Sequence, residues 1–87
     1  MARYDPFVAI VRLFASARTA AGRGRDDVPG ATVGAVLDAA QSRYGTAFVD
    51  VLPSCRIWVN GEPATESTAV RDSDEVAVLP PVSGGCS

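Results

Sequence analysis

Apolar and polar positions alternate most cleanly in three short stretches. In residues 7–14 (FVAIVRLF), Phe7, Ala9, Val11 and Leu13 fall on one side of an extended chain, and Val8, Ile10, Arg12 and Phe14 on the other. Both sides are largely apolar, which predicts a strand inside a sheet rather than at its edge. Residues 56–60 (RIWVN) alternate again, with Ile57 and Val59 facing one way and Arg56, Trp58 and Asn60 the other. Residues 75–79 (EVAVL) set Val76 and Val78 against Ala77 and Leu79, after the turn-forming Asp72, Ser73 and Asp74. Between these strands the period changes. Val33, Val36, Leu37, Ala40 and Tyr44 recur at helical spacing, with Thr32 placed as N-cap and Gly45 as terminator.

The intervening segments are shorter. Residues 15–21 are small and helix-tolerant, and Gly22 can close that turn of helix. Residues 23–28 predict a turn and a short edge strand, whose charges guard an exposed edge against pairing. Phe48, Val49, Val51 and Leu52, ahead of Pro53, predict a short helical turn beneath the sheet. Asn60-Gly61 is a hairpin signal because both residues tolerate positive φ. Residues 62–64 begin a short return strand, and 65–71 read as loop. The fold expected is α+β: a mixed four- or five-stranded sheet with one long helix packed on one face. Parallel pairing of the first and last strands would enclose everything else in the crossover between them.

One domain, residues 1–81, is expected, followed by a flexible tail, residues 82–87. Pro80 and Pro81 stop the last strand, since neither has an N–H for a ladder, and hold the chain extended. After them, VSGGCS has little to bury. A stiff stalk carrying Gly84 and Gly85 suits a chain end that enters another protein's narrow active site, because glycine has no Cβ. From the tail alone, a frayed terminus reads as well.

Composition changes the picture mainly by exclusion. With 47% hydrophobic residues the chain is globular. Its net charge of −2 and lack of a basic run argue against nucleic acid or an anionic membrane as partner. Eight arginines and no lysine leave no side chain to receive an isopeptide, and the absence of histidine removes the usual general base and commonest metal ligand. Cys55 and Cys86 lack zinc-site spacing, so no metal is expected. Cys55 reads as a small buried hydrophobe. With no signal-peptide core or membrane-length apolar run, the expected location is a reducing cytoplasm.

Four segments together resemble a known family: residues 11–22 (VRLFASARTAAG), 31–37 with the helix through Tyr44, 59–62 (VNGE) and 74–85 (DEVAVLPPVSGG). The sequence is similar to the ubiquitin-like β-grasp sulfur carriers, among them the small subunit of molybdopterin synthase and the sulfur carrier of thiamin synthesis. It looks closest to the molybdopterin-synthase type. The resemblance implies a protein cosubstrate rather than an enzyme. It binds no cofactor; ATP is used by a ubiquitin-activating-like adenylating partner enzyme. That partner activates the carboxylate of the second glycine, here Gly85, with Gly84 giving passage through the channel. A sulfur donor replaces AMP, and the resulting thiocarboxylate gives its sulfur to a small molecule inside a sulfur-accepting biosynthetic enzyme.

One departure matters. Cys86 and Ser87 follow Gly85, so Gly85 is tied into a peptide bond until they are removed. Similar extensions in the family imply a zinc-dependent protease, and a carrier serving cysteine or a specialised sulfur metabolite. That is the leading expectation here; the small subunit of molybdopterin synthase is the alternative, and a tagging module without sulfur chemistry a third. Arg12, Phe14, Trp58 and Leu79 are expected on the sheet face opposite the long helix, the face the family uses to dock partners, with Pro80 and Pro81 leading out of it. The competing expectation is that residues 48–52 fold over part of that face. The acidic Glu62, Glu66, Asp72, Asp74 and Glu75 suit either a docking surface or an ordinary solvated one.

Overall fold

A computed structural model describes residues 8–81. The chain runs β1 (Val8–Leu13), α1 (Ala15–Ala21), β2 (Arg25–Pro29), α2 (Val33–Tyr44), α3 (Thr46–Val51), a 3-10 turn (Leu52–Ser54), β3 (Arg56–Val59), β4 (Glu62–Pro63) and β5 (Glu75–Leu79). The strands form one five-stranded sheet in the order β2-β1-β5-β3-β4. β1 and β5 run parallel, Val11 beside Val76 and Leu13 beside Val78. All other pairs are antiparallel. This is the ubiquitin-like β-grasp arrangement, with the helices on one face of a mixed sheet.

Alternation explains why the sheet has two unlike faces. Ala9, Val11, Leu13, Val28, Val76 and Val78 are buried, and meet Ala17, Val33, Val36, Leu37, Ala40 and Phe48 from the helical side. Ile57 and Val59 pack against this core from the flank. Each fully buried valine or leucine contributes about 1.5–3 kcal/mol, so the aliphatic layer suffices for a domain of this size without metal or disulfide.

The helix ends are satisfied locally. Thr32 caps α2, its hydroxyl oxygen accepting from the Ala35 N–H at 3.1 Å. Residues 65–71, expected as loop, return to the same end: the Val33 N–H donates to the Thr68 carbonyl and the Gly34 N–H to the Glu66 carbonyl, each at 2.9 Å. The loop also buries Val70 in the core, a residue with no periodic signal around it. Gly22 closes α1 in the left-handed region at φ 79°, as its position suggested. Asn60 and Gly61, at φ 50° and 85°, make the β3–β4 hairpin turn.

The apolar group 48–52 resolves in favour of the helical side, within α3 and the 3-10 turn after it. Phe48 is fully buried and meets Tyr44 edge-on, with ring centroids 5.1 Å apart at 90°. Val49 is exposed and Val51 and Leu52 half-buried. This segment packs beside α1 and α2, so it does not cover the other sheet face.

Candidate functional site: the open sheet face and the exit of the chain

β5 is the middle strand of five, so the chain leaves the sheet from its centre. The open face around that exit is built from side chains that alternate with the core. Ala77 and Leu79 lie between and beyond buried Val76 and Val78. Trp58 lies opposite Ala77, and Arg56 opposite Leu79, because both alternate with core-facing Ile57 and Val59. Arg12 stands beside Ala77 on the β1 side. One rung across the face therefore reads Arg25, Arg12, Ala77, Trp58, Pro63. Phe14 continues the alternation of β1 one step past its end. Its backbone is extended, it is 41% exposed, and its N–H donates to the Val78 carbonyl at 3.3 Å.

Arg12, Trp58 and Leu79 thus share one face, and Phe14 stands at the end where the chain leaves. Pro80 is half-buried just after β5, and Pro81 is exposed. Gly84, Gly85, Cys86 and Ser87 lie outside the described residues. Three further residues of this face were not singled out from the sequence. Ile10 precedes Arg12 by two, Arg56 precedes Trp58 by two, and Arg25 is brought opposite Arg12 by pairing. The first two were available from alternation; Arg25 depends on register.

Polar contacts on the face are sparse. The Arg12 guanidinium lies 3.6 Å from the Glu75 carboxylate, with both side chains about half exposed (43% and 52%). Of the other acidic residues near β5 in sequence, Asp74 closes a turn by accepting from the Arg71 N–H at 2.8 Å. Asn60 ties the hairpin to the start of β5: its side-chain oxygen accepts from the Glu75 N–H at 2.9 Å. Glu62, Glu66 and Asp72 are exposed.

The polar cluster with the most contacts lies elsewhere, where β2 meets α2. The Asp26 carboxylate accepts from Arg43 and from the Tyr44 hydroxyl, each at 2.8 Å, and Arg23 stands 3.4 Å away. Burial alone would raise this carboxyl. The hydrogen bonds from Arg43 and Tyr44, with the charge of Arg43, outweigh it and hold it below its ordinary value. Burial, then the bond to Asp26, pushes the Tyr44 phenol well up. Arg43 also donates to the Asp27 carbonyl at 2.8 Å, and the Asp27 N–H donates to the Asp26 side chain at 2.9 Å. The outward backbone groups of Asp27 are therefore occupied, so this edge of the sheet is closed by hydrogen bonding as well as by charge.

A groove of about 620 Å³ runs along the β3–β4 edge between α2 and the sheet, its walls including Leu37, Gln41, Leu52, Cys55, Ile57 and Ala64. Arg56 and Trp58 belong to its rim as well as to the open face. Cys55 is half-buried there; its thiol donates to the Val51 carbonyl at 3.3 Å, and burial pushes its pKa up. That environment is the opposite of one that activates a thiol, and agrees with a packing role. Among the described residues, no group of three His, Cys, Asp or Glu is arranged to hold a metal ion. No helix among them is long and apolar enough to cross a membrane.

A five-stranded mixed sheet with its helices on one face and its last strand at the centre defines a ubiquitin-like β-grasp protein. The profile of the ThiS family matches residues 11–85, and the chain belongs to that family. At that level its function is sulfur carriage, as a protein cosubstrate rather than a catalyst. Two relatives are each named molybdopterin synthase sulfur carrier subunit. The one from Emericella nidulans is 30% identical, over 86% of this chain and 94% of its own. The one from Phaeosphaeria nodorum is 32% identical, over 83% and 84%. The solution structure of the small archaeal modifier protein 1 from Methanosarcina acetivorans superposes with a TM-score of 0.83 at 31% identity, covering 94% of this chain and all of that one.

Proposed function

We propose that this carrier delivers sulfur as the small subunit of a molybdopterin synthase, in molybdenum cofactor biosynthesis. The observation that carries the reading is that both relatives bear that name at 30% and 32% identity over most of their length. The reactive group is the Gly85 carboxylate, freed by removal of Cys86 and Ser87, and Gly84 lets the backbone through the partner's channel. An adenylating enzyme joins that carboxylate to the α-phosphate of ATP with loss of pyrophosphate. A sulfur donor then displaces AMP, leaving the thiocarboxylate. The larger subunit docks on the face carrying Arg12, Phe14, Trp58 and Leu79, with Pro80 and Pro81 directing the tail inward. Cytoplasmic ATP suits this chemistry, and residues 82–87 act as a tail apart from the domain of residues 1–81.

A second reading has its own observation. Cys86 and Ser87 follow Gly85, and a Gly85 held in a peptide bond has no carboxylate to adenylate. Processing by a zinc-dependent protease is one way to expose it, and favours a carrier that serves cysteine or a specialised metabolite through exchangeable partners. Both readings share the first step. Full-length chain and chain ending at Gly85 are incubated with adenylating enzyme, ATP and a sulfur source, and followed by intact mass. The shortened chain gains the difference between one sulfur and one oxygen, and the full-length chain does not. Equal gain with Cys86 and Ser87 attached removes the precursor idea. Copurification then separates the two readings: a synthase subunit stays with a larger catalytic chain, whereas an exchanging carrier is released.

A further inference from the structure

The open face is electrically sorted along the strands, in a way the net charge of −2 does not suggest. β1 and β5 run toward the exit and β2 and β3 run away from it. Arg12, Arg25 and Arg56 therefore gather at the exit end, while Asp27, Asp74 and Glu75 lie toward the other, where Arg71 and Asp72 share the turn before β5 and the acidic groups outnumber the one arginine.

Arg12 and Arg25 sit directly opposite each other across the β1–β2 pair. The Leu13 N–H donates to the Gly24 carbonyl at 3.0 Å, which makes the Arg12–Arg25 rung the non-hydrogen-bonded kind. Facing residues on such a rung have Cα atoms about 4.5 Å apart, and like charges there are destabilising. Nothing in the fold offsets this fully. Glu75 approaches Arg12 only to 3.6 Å in solvent, and among the described residues no carboxylate lies within ion-pair distance of Arg25 or Arg56. Arg43, by contrast, is pinned to Asp26 at 2.8 Å.

We propose that Arg12, Arg25 and Arg56 form a basic collar around the chain exit, and that it docks on a carboxylate-lined rim of the adenylating enzyme. Each arginine left unpaired by the fold then gains its counter-charge on docking. The acidic far end meets repulsion from the same rim, so the encounter favours the orientation that presents the tail. The proposal rests on the reading that an adenylating partner takes the tail, and it adds what the partner's surface must be.

The test measures association of the full chain with the adenylating enzyme at low and high salt, without ATP, for wild type, Arg25→Glu, Arg56→Glu and Arg71→Glu. Arg71 is exposed in the turn before the opposite end of β5, so Arg71→Glu makes the same change of net charge in the wrong place. Arg25→Glu and Arg56→Glu should each slow association about tenfold at low salt and flatten its salt dependence, while Arg71→Glu stays within about twofold of wild type. Arg56→Glu and Arg71→Glu should melt like wild type, since those side chains are exposed, whereas Arg25→Glu sets a carboxylate opposite Arg12 and should melt no lower than wild type. Equal slowing by all three, association indifferent to salt, or self-association of the carrier through its unlike ends would overturn the collar. Adenylate formation on the same chains ending at Gly85 is read in parallel. Its absence in wild type removes the proposed function, while the ATP-free association still decides the collar.

Discussion

The two faces of β5 are made of neighbouring residues and have nothing else in common. Val76 and Val78 are fully buried under the helices, whereas Ala77 and Leu79 stand half-exposed beside Trp58 and Arg12. Five consecutive residues thus serve both cohesion and contact. On the covered face the central strands carry only aliphatic side chains, with no fully buried polar or charged residue among those described, and Asp26 marks its β2 margin. The open face mixes large apolar side chains with arginines, the composition enriched where proteins meet. A surface of this kind is kept apart from the core only by the two-residue period of the strand, so one step of register would exchange them.

The sharpest way to break the contrast is to put a charge on the covered face. Val78→Asp buries a carboxylate with no partner and should cost about 4 kcal/mol or more, enough to unfold a domain of this size, as read by thermal and denaturant melts. The β2–α2 cluster comes next. Asp26→Asn should cost about 1–2 kcal/mol, since it removes the charge from hydrogen bonds to Arg43 and Tyr44. Its pH dependence is also fixed in sign. The folded Asp26 carboxyl lies below its ordinary value of 3.8, so its contribution is complete above that pH and is lost as pH falls through the folded value. Wild type and Asp26→Asn should therefore converge in stability in strong acid and diverge above about pH 4.

Most of the covered face was legible in the sequence, and the physical reason is periodicity. Residues 7–14, 33–44 and 75–79 carry uninterrupted patterns of period two or three to four; the last two became the elements predicted, and the first is a strand over Val8–Leu13, with Phe14 capping α1 and Phe7 outside the described residues. Phe48 was legible as apolar but not as to side, because a six-residue helix between two turns has too little pattern to give a direction. Val70 was invisible: one valine among polar neighbours is buried because the loop is hydrogen-bonded to the start of α2. The Asp26 cluster joins residues seventeen and eighteen apart in sequence, and no local signal links them. Asp26 instead read as an edge-guarding charge, which describes its neighbour Asp27 better. On the open face, Arg12, Trp58 and Leu79 followed from alternation, but Arg25 needed the β1–β2 register.

Smaller effects sharpen the comparison from the other side. Trp58→Glu or Leu79→Glu should cost about 1 kcal/mol and leave the domain folded, because each side chain is only partly buried and neither belongs to the covered core. Under the proposed function, binding to a larger synthase subunit should fall, since that charge must be desolvated in an apolar contact. Unfolding by either change would reverse the assignment of faces. Glu75→Gln should do least. Its pair with Arg12 is long and half-exposed, and pairs of that kind contribute about 0–1 kcal/mol. A melt indistinguishable from wild type is expected.

The place of β5 in the sheet has a mechanical consequence. A partner that draws on the chain beyond Pro81 applies tension along the axis of the central strand. The ladders to β1 and β3 lie on either side of it, parallel to the pull, so their hydrogen bonds are loaded together in shear. A strand pulled across its ladder would instead unzip one bond at a time. Threading the tail into a tight channel, or hauling on it during release, therefore works against the strongest direction of the domain. An unfolding machine that gripped the same end would have to break both ladders of β5 before it reached the two-residue edge strand β4.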